Sequence, residues 1–280
     1  IKTAYGLNKL DFKKYFSRLS LPGGLRLWIT LTSFFFIAIV CWKNWIQIRE
    51  ISIDSERWYW LLASFLLTSL SLVMNAMAWR SLVKWLGHKT LKLNLIHIYL
   101  HSNLLKYLPG GIWHFVDRLR ALRPLSGSGQ ALASVILEPL ILTSATLLLV
   151  PLMGLNIGLH LACYIPLIFI FPKWRKPLLQ TLESSRIKSI SRVDLKLVNE
   201  LKKERKTFFE NRNGYPWKSF LWEMLFLFLR YMGFWCCLKA FYLTSNFSFQ
   251  FLLGGFSLAW IVGFVTPSAP GGLGVFEAML

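Results

Sequence analysis

Four charged residues lie in or beside apolar sequence: Glu138 in the run 129–150, Glu223 and Arg230 in the run 219–238, and Glu277 after a late Pro-Gly-Gly. Asp117, Arg118 and Arg120 follow an earlier Pro-Gly-Gly at 109–111, and Asn103 and Lys106 precede it. An ion in hydrocarbon is costly, so such residues face a bundle interior or a water-filled cavity. There they hold a charged ligand or pair with one another, and structural pairing is the competing reading for Glu138 and Arg230. Glu223 and Arg230 are seven residues apart and share a helix face. At 1.5 Å per residue their backbones are about 10 Å apart, which leaves a direct pair open. Glu223 is expected at the cytoplasmic interface.

His97 and His101 are four residues apart, as a metal pair on one helix face would be. No HExxH pattern or third ligand accompanies them, so no metal is expected. His114, in Ile112-Trp113-His114-Phe115 just past the first Pro-Gly-Gly, is either an interfacial neighbour of the aromatics or part of a site. No P-loop, nucleophile elbow or dinucleotide fingerprint is present. Neither an enzyme activity nor a cofactor is expected from this chain.

The elements that must position these residues are membrane helices. With 55% hydrophobic residues in 280 and a mean hydropathy of +0.47, the chain reads as an all-α integral membrane protein. Apolar runs fall at about 27–42, 58–79, 129–150, 157–171, 219–238 and 249–266. They predict about six transmembrane helices. The net charge of +19 comes from basic residues between the runs, a placement that suits anionic lipid headgroups, and nucleic acid is not expected as a partner. The four cysteines, Cys41, Cys163, Cys236 and Cys237, read as small apolar fillers. The first run reads as a retained anchor rather than a cleaved signal, and the chain, starting at Ile1 and stopping in apolar glycine-rich sequence, reads as a fragment.

Basic loops stay cytoplasmic. Residues 1–26, 80–92, 106–123 and 172–218 hold 27 of the 32 Lys and Arg, and they share one side if 93–123 enters the membrane and returns. That segment is therefore expected to be a re-entrant hairpin with Pro109, Gly110 and Gly111 at its tip; a full span with an outer glycine turn is the alternative. Pro270, Gly271 and Gly272 repeat the tripeptide, followed by Gly274, and 51 residues separate each from the start of a preceding span, Trp58 or Ser219. The expectation is an inverted repeat of two re-entrant hairpins, a plan that places a substrate site near the midplane. Residues 1–26 then form a basic cytoplasmic segment and 27–280 a membrane domain. Within it lie repeat A at about 58–150, a basic cytoplasmic loop at 172–218 and repeat B at about 219–280.

Two motifs carry a family resemblance: Asn103-Leu-Leu-Lys-Tyr-Leu-Pro-Gly-Gly-Ile-Trp-His-Phe-Val-Asp-Arg118 and Pro267-Ser-Ala-Pro-Gly-Gly-Leu-Gly-Val-Phe-Glu277. They resemble the lysylphosphatidylglycerol synthase transmembrane region family, over roughly Trp58 to Leu280. The resemblance implies a flippase-like protein of a bacterial inner membrane, with its N-terminus cytoplasmic, that moves a phospholipid or lipid-linked headgroup between leaflets. It also implies roles for Asn103, Pro109, Gly110, Gly111 and Arg118, and for Pro270, Gly271, Gly272, Gly274 and Glu277. In this reading Arg118 meets the phosphate through its guanidinium fork, a purely structural pairing with Asp117 or Glu138 being the alternative, and His114, Asp117, Arg120, Glu138 and Arg230 complete the candidate substrate site. Expected partners are a membrane phospholipid or glycolipid, with a cytosolic transferase and a second copy of the chain left open. The rivals are a membrane subunit of a lipid-modifying enzyme, making aminoacyl-phospholipids or lipid-linked sugars, and a scaffold that recruits a glycosyltransferase.

Overall fold

The structure, a computed structural model, describes residues 39, 42, 43, 45, 54–87, 94–107, 112–126, 128–154, 156–170, 182, 187, 214–243, 248–265 and 276. The chain divides into two units, Ile1–Ser52 and Ile53–Leu280. In the first, Ile39, Trp42, Lys43 and Trp45 are helical and exposed; the rest of the expected span 27–42 lies outside the described residues.

In the second unit the described elements are helices: α1 (Ser55–Trp85), α2 (Leu95–Leu104), α3 (Trp113–Ser126), α4 (Ser128–Leu149), α5 (Ile157–Ile170), α6 (Trp217–Ala240) and α7 (Phe249–Val265). Short 3-10 turns follow α2 (Leu105–Tyr107) and α4 (Val150–Met153). Three stretches are long and apolar enough to cross a membrane: α1, α4 with its turn (Gly129–Met153), and α6. The shorter apolar helices are α5 and α7. The protein is therefore a multi-pass, all-helical membrane protein. The expected runs 58–79, 129–150, 157–171, 219–238 and 249–266 coincide with α1, α4, α5, α6 and α7.

Helix α1 continues past the apolar run through Arg80 and Lys84 and ends at Leu86–Gly87, where Gly87 takes φ +86°. That left-handed position after the last turn favours glycine. Trp58, Tyr59, Leu62, Phe65 and Leu66 on α1 are exposed, as are Leu159, Leu161, Ile165 and Ile168 on α5. Such apolar faces suit acyl chains, not water.

The broadest helix contact joins α1 to α6. A Cβ at Gly233 would stand 3.1 Å from the Ser64 carbonyl and overlap the Thr68 hydroxyl, so the backbones approach closely because position 233 has no side chain. Ser219 on α6 donates to the Ala78 carbonyl of α1 at 2.9 Å. Helix α4 is the centre of the bundle and touches α1, α3, α5, α6 and α7. Its Ala131, Ala133, Val135, Ile141 and Ala145 are fully buried. The hydroxyls of Ser144 and Thr146 donate to carbonyls one turn back, at 2.8 Å each, so they need no water in the interior.

Helices α2 and α3 pack against each other on either side of residues 108–111; α2 also packs on α1, and α3 on α4. The α2 N-terminus is capped by Asn94, whose Oδ1 accepts from the His97 N–H at 3.2 Å. At the far end of the chain, Phe276 packs back against α7, its ring 5.4 Å from Phe256 and 5.9 Å from Trp260. Both tripeptide tips, Pro109-Gly110-Gly111 and Pro270-Gly271-Gly272, lie outside the described residues, as do Gly274, Glu277 and most of the loop 172–218.

Candidate functional site

The polar residues of α1, α2, α3 and α4 meet in one enclosed cluster. Arg118 on α3 is 0% exposed, and its Nη1 donates to Oε2 of Glu138 on α4 at 3.0 Å. Its Nε donates to the Ser102 hydroxyl at 2.8 Å. Ser102 can accept because its own proton goes to the Tyr99 carbonyl one turn earlier, at 2.9 Å. The guanidinium lies 3.8 Å over the Tyr99 ring and 5.5 Å from the Trp79 ring. A planar cation fits that aromatic setting as an ammonium would not. The remaining nitrogen, Nη2, is buried with no hydrogen-bond partner.

Glu138 is held from its other side. The Tyr99 hydroxyl stands 2.7 Å from Glu138 Oε1 and 2.6 Å from Asn75 Oδ1. One proton cannot serve both. The carboxylate is the stronger acceptor, so Tyr99 donates to Glu138, and Asn75 with its amide turned over donates to the hydroxyl. Four helices thus converge on one ion pair.

Two further charges interact with it, and a third, Arg230, interacts with one of these. Lys106, in the turn after α2, interacts electrostatically with Glu138, Arg118, Glu223 and Arg230. Glu223 on α6 is 0% exposed and interacts with Glu138, Lys106 and Arg118. Its enclosure goes beyond the interfacial position expected for it: α6 lies along both α1 and α4, so a residue near the start of the helix is already inside the bundle. Arg230 stacks over Trp260 of α7 at 5.5 Å. Whether Glu223 is counted as ionised or neutral, two acids and three cations leave the group with an excess positive charge, which favours an anionic ligand. An incoming phosphate would compete with Glu138 for the same guanidinium.

Other candidates lie apart from this cluster. Asp117 turns toward His101 (Oδ2 to Nδ1, 3.7 Å) at a partly exposed position, and His101 stacks on His97 with ring centres 6.3 Å apart. Arg120 is exposed. His114 is buried against Phe115, ring centres 3.8 Å apart. Asn103 keeps an enclosed Oδ1 without a hydrogen-bond partner. Tyr99, Ser102, Asn75 and Trp79 also belong to the cluster, though none is a candidate site residue by sequence. Their signal was faint: Asn75 is an amide inside an otherwise apolar span, and Tyr99 and Ser102 lie in the run 91–108 whose polarity marks it as unfit to face lipid all round.

Residues 26–280 match the family model described as Lysylphosphatidylglycerol synthase TM region. No curated protein and no solved structure matches the chain.

Proposed function

We propose a transport function for this chain, which belongs to the lysylphosphatidylglycerol synthase TM region family: it is a flippase-like protein that moves a phospholipid or lipid-linked headgroup between leaflets. The observation that supports this reading is the buried Arg118–Glu138 pair with its net positive surroundings. Intramembrane ions are kept where a polar ligand must pass, and a guanidinium fork suits phosphate oxygens.

On this reading the α2–α3 pair is a re-entrant hairpin tipped by Gly110 and Gly111, and the segment from α7 to Phe276 is its inverted counterpart. Six spans, a cytoplasmic N-terminus and a bacterial inner membrane complete the proposal, supported by the one-sided distribution of Lys and Arg. The headgroup enters between the hairpins and meets Arg118 and Lys106 while the acyl tails stay in lipid. The chain moves lipid and does not modify it.

Purified protein in vesicles carrying a fluorescent phospholipid, with the outer leaflet quenched, tests this. Wild type should equilibrate the label across the leaflets and Arg118→Ala should not. Equilibration at the protein-free rate by well-folded wild type, with phosphatidylglycerol and phosphatidylethanolamine probes alike, would refute flipping. Loss of a lipid species from deletion cells, seen by mass spectrometry, would favour the lipid-modifying enzyme subunit instead.

A further inference from the structure

Glu223 is fully enclosed, and neither of its carboxylate oxygens has a hydrogen-bond partner. An ionised carboxylate offers about four acceptor positions. Leaving all of them empty in a low-dielectric interior costs so much that such a group takes up a proton instead. Among the described residues no cation stands within ion-pair distance of it. Arg118 of α3 is already committed to Glu138 of α4, which itself repels a second negative charge. Lys106 is the remaining cation acting on Glu223, and Tyr99 of α2 also feels its charge. The flanking stretches of α1 (58–79) and α7 (249–264) carry no charged side chain, and on α6 itself the nearest charges are Lys218 and Arg230, more than a turn away.

We propose that Glu223 is a proton-binding site: its carboxyl is neutral while the helices enclose it and ionises when the bundle opens to water. Each closing of the site then takes a proton from the aqueous face last opened, and each opening releases it to the face then exposed. The proton comes from water and returns to water, and no other reactant is needed. Carrying a proton with the headgroup links lipid movement to the transmembrane proton gradient. The proton site stands on Glu223's own surroundings, whereas its link to lipid movement rests on the transport reading above.

Infrared difference spectroscopy on the full chain in lipid vesicles at neutral pH tests the site directly. Wild type minus Glu223→Gln should show the carbonyl band of a neutral carboxylic acid, and Glu223→Asp should shift that band. Absence of the band overturns the proposal. Glu223→Gln is isosteric with the neutral acid and should keep wild-type thermal stability; a large loss would mean that the native carboxyl is ionised, which also overturns it. In the flipping assay the wild-type rate should fall as pH rises, by up to about tenfold per unit for one titrating group, and Glu223→Gln should be flat. An unchanged pH profile in Glu223→Gln overturns the link to transport. A flat zero rate in wild type, with the infrared band present, instead refutes the transport reading and leaves the proton site standing.

Discussion

Removing the carboxylate charge of Glu138 while keeping Arg118 should be among the most damaging single changes in the chain. Arg118 is 0% exposed and its salt bridge is 3.0 Å long, so Glu138→Gln leaves a buried, uncompensated guanidinium. Breaking a buried pair from one side costs about 3–5 kcal/mol, and weakening the acceptor of the Tyr99 hydroxyl adds about 1 kcal/mol. Arg118→Met should cost a similar amount, because Glu138 is then held by Tyr99 alone. The double variant Arg118→Met/Glu138→Gln removes both charges and should lose far less than the sum, since neutral side chains of similar volume often replace a buried pair at little cost. The expected coupling is about 3 kcal/mol or more, a factor of roughly 150 in the folded ratio. Unfolding of the four proteins in mixed micelles measures it, and additive losses would refute the pairing. The same set separates structure from function. If Arg118 touches the headgroup, the double variant regains stability and stays inactive in flipping; restored flipping would show that Arg118 serves the fold alone.

Further tests reach other parts of the bundle. Gly233→Ala should lower stability by about 1–3 kcal/mol through overpacking against Ser64 and Thr68, and Gly233→Leu should prevent α1 and α6 from docking, both readable as thermal unfolding in detergent. Ser219→Ala removes an interhelical hydrogen bond and should cost about 0.6 kcal/mol by the same measurement; a loss of several kcal/mol would contradict that assignment. Valine at Gly111 or Gly272 should abolish transport in folded protein by resisting the backbone a tight tip needs, and full activity in both variants would make these glycines ordinary. Cysteines placed at 80–92, 118–125 and 172–218 should be labelled from the cytoplasmic side alone, whereas outside labelling of 118–125 would remove the re-entrant hairpin.

The positions of α4, α5 and α7 were legible within a few residues because an uninterrupted apolar run and a helix of matching length are the same signal. The end of α1 was not. Apolarity stops at Trp79 while the helix continues to Trp85, since Arg80 and Lys84 are good helix formers that hydropathy counts as loop. Arg118 and Glu138 stood out as intramembrane charges, and Glu138 was one of two acids that could pair with Arg118; the choice between them depends on α3 packing against α4, a fact that spacing along the chain does not encode. The enclosure of Glu223 was not legible for the same reason: distance from a helix end says how deep a residue lies in the bilayer, but its neighbours decide whether it is enclosed. Tyr99 and Ser102 carried only the faint signal of their polar run, because a hydroxyl there looks the same whether it faces water or an arginine.

The length of α1 also bears on the surrounding lipid. Its apolar part, residues 58–79, spans about 33 Å at 1.5 Å per residue, slightly more than the roughly 30 Å hydrocarbon thickness. A span of that length fits such a layer with a modest tilt, at a fraction of a kcal/mol per Å of mismatch. Arg80 and Lys84, on the part of the helix that continues beyond the apolar run, would then stand at the headgroup level, their stems along apolar surface and their charges toward lipid phosphate.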